Sequence, residues 1–321
     1  MGHEPFHLPE GFRFGVATAG SQVEGGSNGP GDDGIETRVD PLTGATVQVV
    51  GGRQDRPNLP TGGCPFCVGG TEAPEPYDTK AFPNRWPSYP DGRSEVVLYS
   101  PVHDAALWQL GVGQVRKVID LWAGRTEALG ARPDVAYVLV FENHGAEVGA
   151  TIAHPHGQIF AFDSVPDLPA RELARLAAGH RLLEDDPGRE RLVVERDGWR
   201  AWVPWANVHP HGLRIAPVER HPDLPSLTAA GRDGLAAVLA DVLARLDHLF
   251  ERPMPYMFWI HQQPTDGRDR PQAWMHVEIA GPWRSEGVLR FVAAGELGSG
   301  TYINPVRPED AAAALRRAGG R

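Results

Sequence analysis

The residues best suited to chemistry fall in one stretch, Gly149-Ala150-Thr151-Ile152-Ala153-His154-Pro155-His156-Gly157-Gln158, shortly after Phe141-Glu142-Asn143-His144-Gly145. Alternate side chains of an extended chain share a face, so His154, His156 and Gln158 are expected to project together from the start of a strand. Pro155 suits a strand mouth because it gives up a ladder donor, and Gly145, Gly149 and Gly157 allow backbone to approach a ligand closely. Such a site suits a phosphate. Two surface histidines in a loop would share the His-Pro-His pattern, and the sequence carries its own control. His209-Pro210-His211-Gly212 repeats the string without the upstream Glu-Asn-x-Gly turn and continues as Leu213-Arg214, so His209 and His211 are assigned no catalytic role.

A second chemical signal is Cys64-Pro65-Phe66-Cys67, two thiols at the spacing of a metal knuckle, and a tetrahedral zinc site needs two further ligands. A redox pair or inert buried thiols are the other readings. Two cysteines are too few and too close for a secreted disulfide framework.

Elements to position these residues are visible in the patterning. Runs 45–50, 95–100, 136–141 and 158–162 are rich in Val, Ile, Leu and aromatics, as strands are. Between the second and third, Val115, Val118, Ile119 and Trp122 repeat at helical spacing, with Gly130 as a stop. The order recurs. Strand-like 191–195 and 199–203 precede a helix striped by Leu235, Val238, Leu239, Val242, Leu246 and Leu249, followed by strand-like 256–262 and 273–280. The reading is an α+β chain of two related halves, 35–190 and 191–321, after a Gly-rich appendage or linker at 1–34. The 321 residues carry 41% apolar and 22% charged side chains and a formal charge of -10. That balance argues against nucleic-acid and anionic-membrane partners, while leaving room for a focal anion pocket. With no bilayer-length apolar run and no signal-like start, a soluble cytoplasmic protein is expected.

The Phe141-Glu142-Asn143-x-Gly145 turn followed by His154-Pro155-His156-Gly157-Gln158 resembles the galactose-1-phosphate uridylyltransferase family, the transferase branch of the histidine-triad superfamily. The resemblance implies two histidine-triad-like halves, each an antiparallel sheet with helices packed on it. It implies uridylyl transfer between UDP-glucose and galactose 1-phosphate, in galactose metabolism, with ping-pong kinetics through a nucleotidyl-His156 intermediate. Gln158 would hold the non-bridging oxygens, Thr151 would donate to phosphate where the family usually has serine, and Glu142 and Asn143 would orient the histidines or support the metal. By the same resemblance His103 and His154 complete a zinc site with Cys64 and Cys67. A second iron or zinc ion would use Glu172, His261, His276 and Glu278, the last replacing a histidine. Arg53 and Arg56 match phosphate contacts and Asn84 a nucleotide contact. Arg290, Phe291 and Glu296 match hexose-side positions contributed across a homodimer interface. The ending Gly298-Ser299-Gly300-Thr301-Tyr302-Ile303-Asn304-Pro305 looks more like relatives that use other nucleotide sugars or inorganic phosphate. A nucleoside-diphosphate-hexose phosphorylase or adenylyltransferase working through His156 is therefore the alternative, and a non-catalytic zinc-bound scaffold the third reading.

Residues 8–30 resemble the opening strand of a retaining β-glucosidase barrel, with Gln22 at a sugar-binding position. The chain has neither the carboxylate motifs nor the length for that barrel, so a fused remnant without glycosidase chemistry is expected.

Overall fold

The computed structural model describes residues 35–51, 63–186 and 188–319. The glucosidase-like segment 8–30 and the candidate phosphate contacts Arg53 and Arg56 lie outside the described residues. The chain divides into two compact units between Gly52 and Arg53. The first is an antiparallel hairpin of β1 (Ile35–Val39) and β2 (Thr46–Val50), whose turn is closed by Asp40 Oδ1 accepting the N–H groups of Leu42 and Thr43.

The second unit opens with β3 (Lys80–Pro83), β4 (Ser94–Leu98), α1 (Val112–Gly130), β5 (Tyr137–His144), β6 (His156–Phe162) and α2 (Asp167–Ala177). It continues with β7 (Leu192–Arg196), β8 (Trp199–Trp202), β9 (Leu213–Pro217), α3 (Ala229–Asp247), β10 (Tyr256–His261) and β11 (His276–Ala280). The end is a short hairpin, β12 (Trp283–Ser285) and β13 (Val288–Leu289), followed by α4 (Ala294–Ser299) and α5 (Pro308–Ala318).

Nine strands form one antiparallel sheet in the order β3-β4-β6-β5-β10-β11-β9-β8-β7. The order β3-β4-β6-β5 on one side matches β8-β9-β11-β10 on the other, and the two sets join where β5 pairs with β10. Each set also places one long helix between its second and third strands in chain order. The fold is thus α+β, with two related halves that share a sheet.

Register carries the correspondence to single residues. Gln158 of β6 faces Phe141 of β5 and Val96 of β4, while Glu278 of β11 faces Trp259 of β10 and Arg214 of β9. His276 therefore occupies the position of His156, Glu278 that of Gln158, His261 that of Asn143, Ile260 that of Glu142 and Arg214 that of Val96.

Helix α1 buries Val115, Val118, Ile119 and Trp122, and α3 buries Leu235, Val238, Leu239, Val242 and Leu246, as their spacing predicts. The two helices pack on one another and on the sheet. Trp122 lies edge-on to Tyr99 and Phe258, both at 5.7 Å between centroids, and full burial of an apolar side chain of this kind contributes about 1.5–3 kcal/mol. The alternation of β6 buries Gly157, Ile159 and Ala161 and turns His156, Gln158 and Phe160 to the other face. Among the described residues, no helix is long and apolar enough to cross a membrane.

Candidate active site

Gly157 shows how the core sets strand β6. A Cβ on it would run into the Tyr99 hydroxyl, so the glycine makes room for a buried tyrosine and does not serve close approach of a ligand, as its sequence context had suggested. The expectation that His154 shares the strand face of His156 and Gln158 is also revised. His154 lies in the bend before β6, is buried, and turns its Nδ1 toward the Cys67 sulfur at 3.7 Å. The ring of Phe66, inside the cysteine knuckle, lies 5.1 Å from that of His156 and 6.1 Å from that of His154.

His156 Nδ1 donates to the His154 carbonyl at 2.7 Å, which fixes the tautomer and makes Nε2 the nitrogen with the lone pair. The side chain borders a cavity of about 250 Å3 together with Asn143, Thr151, Gln158 and Ser88. A neighbouring cavity of about 570 Å3 shares Asn143, Thr151 and His156 and extends to Asp104, Gln109 and His144. Gln158 is oriented by a relay of amides. Trp86 N–H donates to Asn84 Oδ1 at 2.9 Å, and Asn84 Nδ2 donates to Gln158 Oε1 at 3.3 Å, so the Gln158 amine is the end turned to the cavity. Asn84 is thereby brought beside Gln158, joined by a contact that its sequence position, on the strand β3 side, did not reveal.

Glu142 is fully buried and accepts a hydrogen bond from the Tyr256 hydroxyl at 2.9 Å. Burial pushes its carboxyl up to about 8. Its nearest histidine is His144, at 3.9 Å, which stacks on Tyr256; the expected role for Glu142 in orienting the motif histidines is replaced by this contact beneath them.

Cys64, Cys67, His103 and His154 bring one sulfur or nitrogen each within 4.8 Å of one another. Cys67 Sγ is 3.4 Å from His103 Nδ1. His154 Nε2 donates to the Ser100 carbonyl at 2.8 Å, leaving Nδ1 as the ligand atom, and burial holds this imidazole below its usual range and so neutral. Burial, and then the adjacent Cys64, push the Cys67 thiol up. Two crowded, partly buried thiols with two imidazoles are a donor set that a thiophilic divalent cation satisfies, because its charge offsets the burial and the neighbouring thiol that hold the proton on. The residues fit a metal. Tyr77, which no motif announces, ties the cluster together: its hydroxyl donates to the Phe66 carbonyl at 2.7 Å and lies 2.8 Å from His154 Nε2.

In the other half, Glu172, His261 and His276 also converge within 4.8 Å. Glu278, expected as a fourth ligand, is not among that group, although its Oε1 lies 3.7 Å from His276 Nε2; Arg214 Nε and Nη2 both reach the same oxygen at 2.6 Å. The buried Arg290 and Glu296 pair with each other, Arg290 also donates to the Ile303 carbonyl, and neither they nor the exposed Phe291 borders the His156 cavities. Nearby, His211 is buried with Nδ1 donating to the Trp283 carbonyl at 2.8 Å, a structural contact consistent with its lack of a catalytic assignment.

Residues 71–166 match the family model described as galactose-1-phosphate uridyl transferase, N-terminal domain, and residues 166–318 that of the C-terminal domain. The galactose-1-phosphate uridylyltransferase of Thermotoga maritima is 35% identical over 314 residues, covering 88% of this chain and 98% of the relative. A solved uridylyltransferase structure superposes with a TM-score of 0.81 at 30% identity over 89% of this chain and 98% of that one. An ADP-glucose phosphorylase from Arabidopsis thaliana shares the fold, with a TM-score of 0.71 at 24% identity over 88% of this chain and 98% of its own.

Proposed function

The chain belongs to the galactose-1-phosphate uridylyltransferase family and is a nucleotidylyltransferase; from that premise we propose that it moves uridylyl groups from UDP-glucose to galactose 1-phosphate through His156. The observation that carries this reading is the hydrogen bond from His156 Nδ1 to the His154 carbonyl beside a cavity furnished with Asn143, Thr151 and Gln158. In the first step Nε2 attacks the α-phosphorus, an Nε2–P bond forms, the bond from phosphorus to the bridging oxygen breaks, and its electron pair leaves on glucose 1-phosphate. The Nδ1–H bond to the carbonyl steadies the positive charge that the ring gains. The Gln158 amine, with Thr151 and Asn143, receives the non-bridging oxygens, and Asn84 holds Gln158 in that orientation. A phosphate oxygen of galactose 1-phosphate then attacks the same phosphorus, and Nε2 departs with the electron pair of the N–P bond.

We assign zinc to Cys64, Cys67, His103 and His154. Bound there, the ion supplies structural clamping, and His154 in turn supplies the carbonyl that orients His156. Arg53 and Arg56 are retained as phosphate contacts. Phe291, Leu297, Tyr302 and Ile303 are exposed large apolar side chains in the segment that carries Arg290 and Glu296, which supports a homodimer sharing its hexose-side residues. Cytoplasmic residence is supported by two neighbouring cysteines that form no disulfide, as a reducing compartment allows.

Radiolabelled UDP-glucose should leave label on the protein, and galactose 1-phosphate should discharge it. His156→Gly should abolish labelling. Persistence of label in that variant overturns the assignment, whereas discharge by inorganic phosphate alone would favour the phosphorylase reading.

A further inference from the structure

Between β5 and β6 the chain runs Gly145-Ala146-Glu147-Val148-Gly149-Ala150-Thr151, and this loop borders both His156 cavities: the larger through Gly145, Ala146, Ala150 and Thr151, the smaller through Gly149, Ala150 and Thr151. The loop closes on itself. The N–H groups of Val148 and Ala150 donate to the Gly145 carbonyl, and that of Gly149 donates to the Ala146 carbonyl. Glu147 borders neither cavity. Its side chain reaches into the second half, where Oε2 accepts the indole N–H of Trp283 at 2.6 Å. We propose that Glu147 and Trp283 are positioning residues for the transfer: the indole holds the loop, and the loop holds Thr151 beside His156.

The indole is well fixed. Trp283 is 1% exposed, its ring lies 5.9 Å from that of Phe250, and its carbonyl accepts the Nδ1–H of His211 at 2.8 Å. His211 in turn lies edge-on to Phe250 at 5.6 Å. The repeated His209-Pro210-His211 string, which carries no catalytic assignment, thereby acquires a task, since it fixes the main chain from which the indole projects. A buried indole N–H without an acceptor is costly, so the tryptophan and the carboxylate select one another. Arg252 adds to the contact. Its guanidinium lies over the Trp283 ring at 5.0 Å and its Nη2 lies 3.8 Å from Glu147 Oε1, so the carboxylate charge is answered outside the His156 cavities.

The chain just before β10 meets the loop at its start. A Cβ on Gly145, whose φ is +97°, would lie 2.7 Å from Pro255 Cβ, and Pro253 borders the larger cavity together with His156. The loop is therefore seated on the second half through both Gly145 and Glu147. Seating of this kind governs rate, because displacing a group that contacts the reacting phosphate by about 1 Å costs up to about 10^2-fold.

This role rests on the transfer reading, so the test has two arms, both on the full chain. Hydrogen exchange of the amides at 145–151 follows the loop itself, and the rate at which radiolabelled UDP-glucose marks the protein follows its use. Glu147→Leu should speed exchange at 145–151 by at least about tenfold. It should slow labelling at saturating UDP-glucose by about 10–100-fold and change KM by less than about threefold, because the loop acts on the transition state. Glu147→Gln keeps a carbonyl oxygen for the indole and should bring both readouts within about threefold of the unaltered protein. Trp283→Phe should match Glu147→Leu, and the double variant should be no worse than either, since one contact is lost once. Where Trp283→Phe does not fold, the two Glu147 variants decide, because that side chain is exposed. Unchanged exchange in Glu147→Leu, or equal slowing of labelling by the leucine and glutamine variants, overturns the proposal. Absence of label on the unaltered protein overturns the transfer reading instead, and exchange then decides the tether alone.

Discussion

Strands β6 and β11 are counterparts in the two halves of one sheet, and the histidine that opens each donates through Nδ1 to the carbonyl two residues earlier. From that shared geometry they diverge at three neighbours. Beside His156 stand a neutral amide, Gln158, a second amide, Asn143, and the apolar Val96 across the strand; beside His276 stand a carboxylate, Glu278, a second imidazole, His261, and a cation, Arg214. The first set, with no carboxylate among these three neighbours, suits the proposed attack on a phosphorus atom. The second set supplies ligands for a cation. On the proposed reading, an imidazole held in one tautomer serves as nucleophile or metal ligand according to the charge of the residues around it.

Breaking the comparison outright should give the largest effect. His156→Gly is expected to lower transfer by at least about 10^4-fold, whereas His276→Gly should cost less than about tenfold. Equal losses, measured as kcat and as protein-bound label, would mean that the two histidines are not divided by role. Gln158→Glu converts β6 toward β11 and sets a negative charge before the phosphate. A fall of about 10^2–10^3 in the labelling rate is expected, with the Asn84 contact retained. Cys67→Ser should release the metal and slow labelling by about 10–100-fold, with zinc content and thermal unfolding read on the same samples.

Glu142 sharpens the contrast through pH, because its counterpart is the buried, apolar Ile260. Its folded-state pKa of about 8 lies above the ordinary 4.5, so the folded protein binds this proton more tightly than the unfolded chain does. The associated stability is complete below 4.5 and is lost as pH rises through about 8, an amount on the order of a few kcal/mol. Denaturant titrations of Glu142→Gln across that window should show the slope removed; an undiminished slope would assign it to another group. The smallest effect is expected from Glu278→Gln, which leaves the Arg214 cation with a neutral partner and should lower unfolding stability by about 1–3 kcal/mol.

Much of this site was legible along the chain because its groups are close in sequence. His156 and Gln158 are two apart, and the strand period alone puts them on one face. The stripes of α1 and α3 were equally plain, since a helix buries residues that recur locally. Strand β9 was missed: Leu213-Arg214 was read only as a departure from the His-Pro-His motif. Its meaning comes from Glu278, 64 residues later and opposite in the sheet. Tyr77 was missed for the same reason, being 77 residues from the His154 that it steadies.

By itself, then, the sequence singled out the proposed nucleophile, its amide neighbour, the cysteine knuckle and the doubled order of strands and helices, because each is written in local spacing and residue type. Tertiary structure alone decided that His154 turns away from the strand face to the thiols, that Gly157 makes room for Tyr99, and that Arg214 pairs with Glu278 beside the second cluster. Those outcomes depend on which side chain stands across a strand or beneath a core, and pairing between distant segments leaves no periodic trace in the chain.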